Sequence, residues 1–180
     1  MNKKIIFVGI PKEPQKFGLF YCFNRRFTLY QCDLEGESLA ELTSGQVESV
    51  RLPMHDELRN SIIFLGNSAG GSHFKAANLY QLSLSDNTIK MVIDSKTKRG
   101  DFPGLYVYQG PQIQIENGKI FLNTFYSLQK VVTMVDIDAK SCTQLNEGEL
   151  EKSFKLFEVS NNVLLGVRSA RNEVPKLVWG

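Results

Sequence analysis

The chain repeats itself, and this repeat restricts its fold more than any other feature. Ile5-Ile6-Phe7-Val8, Ile62-Ile63-Phe64-Leu65 and Lys119-Ile120-Phe121-Leu122 share an Ile-Phe-aliphatic core, with their phenylalanines 57 residues apart in both steps. A second motif follows each one. Leu29-Tyr30-Gln31-Cys32-Asp33-Leu34 returns as Leu79-Tyr80-Gln81-Leu82-Ser83-Leu84, and more loosely as Val132-Thr133-Met134-Val135-Asp136-Ile137, at intervals of 50 and 53 residues. Two motifs in one order at a near-constant period mark a tandem structural unit whose copies bury one another's apolar faces.

Each copy reads as β. In the third, Gln112 to Ile115 is a strand, Glu116-Asn117-Gly118 a tight hairpin turn, and Ile120 to Phe125, Val131 to Ile137 and Cys142 to Leu145 three further strands. The second has the same parts near Val50-Leu52, Ile62-Leu65, Asn78-Leu84 and Ile89-Ile93. A last, partial copy offers Lys155-Val159, Val163-Val167 and Lys176-Trp179, with a turn at Ser160-Asn161-Asn162. The first copy lacks its opening strand. The continuous apolar run at 62–65 suits a strand covered on both faces. In the next strand Tyr80, Leu82 and Leu84 point one way and Gln81 and Ser83 the other. No window shows helical periodicity, and Glu147 to Lys152 allows one short helical turn.

Four strands per unit of roughly 40–60 residues is the pattern of a propeller blade. The predicted fold is all-β: an incomplete β-propeller of about three to four blade-like, four-stranded antiparallel units. Its single segment, residues 1–180, divides into a partial blade at about 1–46, full blades at about 47–95 and 110–147, and a partial blade at about 153–180. A sandwich of irregular hairpins is the competing architecture. A closed ring needs about 4–8 blades, so the chain is expected to be a segment or truncated product of a longer protein.

Composition narrows the function. With 180 residues, 42% of them hydrophobic, the chain is large enough for a buried core, and 12 Phe, 6 Tyr and 1 Trp exclude a disordered one. Lys and Arg number 21 against 19 Asp and Glu, which gives no electrostatic case for nucleic acid or an anionic membrane. No apolar run reaches the roughly 20 residues of a membrane span. The N-terminal apolar run stops at Pro11-Lys12-Glu13-Pro14, short of a signal peptide, so a cytoplasmic protein is expected. Cys22, Cys32 and Cys142 show neither disulfide pairing nor zinc spacing and read as small hydrophobes. His55 and His73 read as polar loop residues.

One motif is tempting. Gly66-Asn67-Ser68-Ala69-Gly70 fits the G-x-S-x-G nucleophile elbow and follows an apolar strand. That motif's triad continues through an acid to a histidine, yet His73 is the only histidine after Ser68 and no acid lies between them. Asn78 to Leu84 also repeats a strand motif where the elbow would need a helix. Ser68 is therefore expected in a loop. Asp136 and Asp138 lie two apart, as on one strand face, but Asp33 holds the repeat position of Asp136 and favours a turn role. Arg25-Arg26 and Lys96, Lys98, Arg99 read as solvated loop charges. The expected catalytic, cofactor-binding and metal-binding residues are none, and no cofactor is implied.

The stretch from Phe17 through Asn24-Arg25-Arg26 to Leu29-Tyr30 and Asp33-Leu34 resembles the acylaminoacyl-peptidase family of the prolyl-oligopeptidase group. Asp101-Phe102-Pro103-Gly104-Leu105-Tyr106 is a second similar patch, and Leu128 to Val167 is similar in layout only. The likeness runs from about Ile5 to Val178 and includes no catalytic signature. It implies part of an N-terminal propeller that gates an α/β-hydrolase domain, itself absent here, which releases N-acylated amino acids from short blocked peptides. The implied partners are that hydrolase domain and the passing N-acylated peptide, with no nucleic acid and no membrane, and a homo-oligomer is allowed. The chain alone is then expected to be inactive. Two rival functions are a free-standing propeller-like interaction module and an esterase using Ser68.

Overall fold

The computed structural model describes residues 3–12, 25–70, 75–96, 104–107, 113–126, 129–146 and 151–180. Every regular element among them is a β-strand. In chain order these are β1 (Lys4–Gly9), β2 (Thr28–Asp33), β3 (Ala40–Glu41), β4 (Ser49–Asp56), β5 (Ser61–Asn67), β6 (Asn78–Ser83) and β7 (Ile89–Ile93). There follow β8 (Ile113–Glu116), β9 (Lys119–Tyr126), β10 (Gln129–Asp136), β11 (Ser141–Gln144), β12 (Lys152–Ser160), β13 (Val163–Ala170) and β14 (Glu173–Trp179). They form four antiparallel meanders of three or four strands: β1-β2-β3, β4-β5-β6-β7, β8-β9-β10-β11 and β12-β13-β14. We call these blades 1 to 4. Such consecutive blades are the fold of an incomplete β-propeller. The chain divides into two compact units, Met1–Asp94 with blades 1 and 2 and Ser95–Gly180 with blades 3 and 4.

The hairpins follow local sequence. Asn117 (φ 49°) and Gly118 (φ 72°) turn β8 into β9, and Asn161 (φ 53°) and Asn162 (φ 63°) turn β12 into β13. Both central positions need positive φ in such two-residue turns, which asparagine and glycine tolerate. Of the expected helical turn, 147–150 lie outside the described residues, and Lys152 already opens β12.

In the first unit, Ile6, Val8 and Leu29 of blade 1 pack against Val50, Ile62, Phe64, Tyr80 and Leu82 of blade 2. Phe64 pairs with Tyr80 across the strands and their rings stack at 5.4 Å. Phe7 and Tyr30 repeat that arrangement at 5.7 Å. The tyrosine ring lies over the glycine two residues past each phenylalanine. A Cβ on Gly9 would come within 2.9 Å of Tyr30, and one on Gly66 within 2.5 Å of Val47 and 3.0 Å of Tyr80. Gly66→Ala is therefore expected to cost about 1–3 kcal/mol by overpacking, measured as a lower urea midpoint at unchanged m-value.

The third copy of the repeat needs a correction. Asp33 stands opposite Lys4, Ser83 opposite Ser61 and Asp136 opposite Lys119. Counted from these paired ends, Phe7 and Phe64 are fourth in their strands, but Phe121 is third. The counterpart of Phe64 is Leu122, which is fully buried. Because side chains alternate, Phe121 shares a strand face with Asn123, the face that meets β12. Thr124 and Thr133 take the glycine and tyrosine places and approach each other at 3.1 Å, hydroxyl to hydroxyl.

The second unit joins its blades by the same elements but with different chemistry. β12 packs on β8, β9 and β10. Two amide side chains grip its backbone on either side of a bulge between Leu156 and Glu158. The Asn123 amide donates to the Leu156 carbonyl at 2.9 Å and accepts from the Leu156 N–H at 2.7 Å. Gln114 donates to the Phe157 carbonyl and accepts from the Val159 N–H, both at 2.6 Å. Each leaves a backbone donor and acceptor satisfied where no ladder strand is available.

Candidate functional site

Ser68 follows the C-terminal end of β5 and is exposed. Its loop is held from three sides. The Lys75 ammonium donates to Ser68 Oγ at 3.2 Å and to the Gly70 carbonyl. The Ala69 N–H donates to Glu48 Oε2 at 2.7 Å, and the Asn67 amide donates to the Ser68 carbonyl at 3.3 Å. Arg51, on β4, donates to the Lys75 carbonyl at 3.4 Å. Burial lowers the pKa of its guanidinium to about 10, so the group is charged at neutral pH.

This arrangement lacks the parts of a nucleophile elbow. The elbow leads from a strand into a helix, whereas β6 begins ten residues after Ser68 at Asn78 and no described residue between them is helical. In this arrangement Lys75 Nζ is the donor and Ser68 Oγ the acceptor. His55 pairs with Ile62 near the opposite end of β5, about 20 Å away at roughly 3.3 Å per residue. His73 lies outside the described residues.

The other sequence candidates do not converge either. Asp136 ends β10, and its Oδ1 accepts the N–H groups of Asp138 (3.0 Å) and Ala139 (2.9 Å), which makes it a turn former. Asp138 lies beyond the strand, so the two carboxylates do not share a strand face, contrary to their spacing. Asp33 does the same work, accepting from the Glu37 N–H at 2.6 Å. Arg25, half-buried, and Arg26, exposed, precede β2, and exposed Lys96 follows β7. All three are engaged in contacts. Lys98 and Arg99 fall outside the described residues, as do Cys22, the Phe17 to Asn24 part of the resemblance, and Asp101 to Pro103. Cys32 is buried, Cys142 is half-buried, and both are free thiols. Among the described residues no group of three or more His, Cys, Asp or Glu is placed to hold a metal ion. Among the described residues no helix is long and apolar enough to cross a membrane.

What the structure does assemble is a set of blade faces. In the first unit Ile5 and Phe7 are 42% and 38% exposed on the face of blade 1 turned away from blade 2. In the second unit Leu177 and Trp179 pair with Val167 and Leu165 and are 57% and 75% exposed. Sequence reasoning missed Gly9 and Gly66, which lie under tyrosines of their own blades, and Asn123 and Gln114, which fix β12 to blade 3. Phe-x-Gly in two of the three repeats was the available signal for the glycines. Nothing local distinguishes the two amides from surface residues.

No protein-family model matches the chain. It is similar over 98% of its length to acylamino-acid-releasing enzymes, at 24% identity in mouse, 23% in human and 19% in Arabidopsis thaliana. It spans about a quarter of the length of these relatives, 24% of the mouse and human proteins and 26% of the plant one. Among solved structures, TolB from Acinetobacter baumannii superimposes with a TM-score of 0.53 at 14% identity, over 86% of this chain and 37% of TolB. The S527A variant of the AtxE2 isopeptidase with Astexin3-dC4 bound gives 0.55 at 13%, over 93% and 24%. The structural likenesses establish the propeller-type fold, and the sequence likeness covers all four blades.

Proposed function

We propose that this chain is a stretch of four consecutive propeller blades that works beside an α/β-hydrolase domain in an acylaminoacyl-peptidase. The observation that supports this most is the similarity to the acylamino-acid-releasing enzymes over 98% of the chain, which takes in both compact units. A propeller contributes no bond-making group. It narrows the route to a neighbouring active site and keeps water and bulky substrates from it. Short peptides with a blocked N-terminus are the substrates that such a passage admits under this reading. The exposed apolar faces at Phe7 and Trp179 fit it, because blades in a propeller bury such faces against neighbours.

The test is immunoprecipitation of the native protein with an antibody to this chain. Fluorophosphonate labelling and hydrolysis of N-acetyl-alanine p-nitroanilide are then measured on the captured material. The expected result is acylaminoacyl hydrolysis and a labelled serine outside residues 1–180. Captured material without hydrolase activity would favour the interaction module. Labelling that disappears in Ser68→Ala would establish the esterase reading and overturn this one.

A further inference from the structure

A cleft of about 570 Å³ opens between blades 1 and 2, wholly inside the first unit. Ile6, Ile62, Met54 and Leu84 supply apolar surface, while Lys4, Gln31, His55, Asn60 and Asn87 supply the polar groups. Among the described residues that line it there is no carboxylate. The acids nearest in sequence or pairing are engaged elsewhere: Asp33, opposite Lys4, turns back to its own loop through the Glu37 N–H, Asp56 pairs through Oδ2 with Arg59 at 2.9 Å, and Asp86, next to Asn87, accepts from the Thr88 N–H at 3.1 Å and the Thr88 hydroxyl at 2.9 Å. Among the described residues the Lys4 ammonium meets one neutral acceptor, Gln31 Oε1, at 3.4 Å.

The walls are shaped by unusual backbone. Leu52 has φ +51°, which a bulky side chain rarely adopts, and it lies in the β4 bulge between Arg51 and Met54 that carries Pro53 and Met54 to the cleft. Asn60 (φ 45°) and Asn87 (φ 56°) also sit in left-handed turns at its rim. Of these three only Leu52 is strained, since asparagine tolerates the left-handed region, and strain at a bulky residue persists where the surroundings impose it. The lining is divided evenly between apolar and polar residues, which gives a ligand both an apolar surface and hydrogen-bonding groups to orient it.

We propose that this cleft binds a small carboxylate that carries an apolar chain. The carboxylate accepts from Lys4 Nζ and the rim amides, and the chain lies on Ile6, Ile62, Met54 and Leu84. The proposal needs only the pairing of blades 1 and 2, so its failure would leave the peptidase reading standing.

The probes are hexanoate, neutral hexanamide and cationic hexylamine, titrated into the full chain while methyl NMR signals of Ile6, Ile62, Met54 and Leu84 are followed. Hexanoate is expected to give saturable shifts, at least tenfold tighter than hexanamide, with hexylamine weakest. Lys4→Met should weaken hexanoate at least tenfold and Lys4→Arg should restore it. Lys4 is exposed, so neither change should alter the melting transition. Equal binding of acid and amide, no saturable shift, or full affinity in Lys4→Met would each overturn the proposal.

Discussion

Phe64→Ala is expected to destabilise the first unit by about 3–5 kcal/mol, the usual cost of emptying a buried aromatic site. Phe64 is fully buried, stacks on Tyr80 and sits in the cluster of Leu29, Val50, Ile62 and Leu82. The cavity would open in the seam between blades 1 and 2, where strands on both sides are held by their ladders and relax little. Trp179, the only tryptophan, is in the second unit and does not report on this change. Hydrogen exchange of the β5 and β6 amides does, and their protection should fall in proportion. The repeat supplies an internal control. Phe7 has the same stacked partner but is 38% exposed, so Phe7→Ala should cost well under half as much in the isolated chain. Equal losses at the two positions would mean that the buried seam contributes nothing beyond the stacked pair.

Asn123→Ala is expected to cost about 2–6 kcal/mol and to loosen blade 4 from blade 3. The side chain is 5% exposed and satisfies both the N–H and the carbonyl of Leu156. Removing it leaves two buried backbone groups without partners, each worth about 1–3 kcal/mol. The change should appear first in β12, as faster amide exchange and easier proteolysis of residues 151–180, while β9 and β10 keep their own ladder. Asn123→Asp tests the mechanism further. It keeps the acceptor for the Leu156 N–H but sets a carboxylate oxygen against the Leu156 carbonyl, so it should rescue little at neutral pH. Unchanged exchange in β12 would show that Gln114 alone holds the seam.

Much of the fold was legible because a blade is mostly local. Strand positions came from short apolar runs, and turns came from Asn-Gly and Asn-Asn pairs, whose positive φ is a property of the residues themselves. The register of the third repeat was not legible. Lys119-Ile120-Phe121-Leu122 matches the earlier motifs by spelling, but its strand pairing moves the match by one residue. A shift of one reverses which face every side chain takes, and only the partner strand fixes that. The same limit applied to Asp136 and Asp138, whose spacing suggests a shared face until the strand is seen to end between them.

The amino-acid order alone determined that this is a tandem all-β protein and that Ser68 lacks a histidine partner of the expected kind further along the chain. Those conclusions rest on period, turn chemistry and residue count, which need no coordinates. Tertiary structure decided how the blades are joined, by an apolar stacked seam in one unit and an amide-clamped one in the other, and it created the cleft beside Lys4. Seams and clefts are made by residues distant in sequence, such as Asn123 and Leu156 or Lys4 and His55. Their meeting depends on strand register and bulges, which the packing of neighbouring blades fixes.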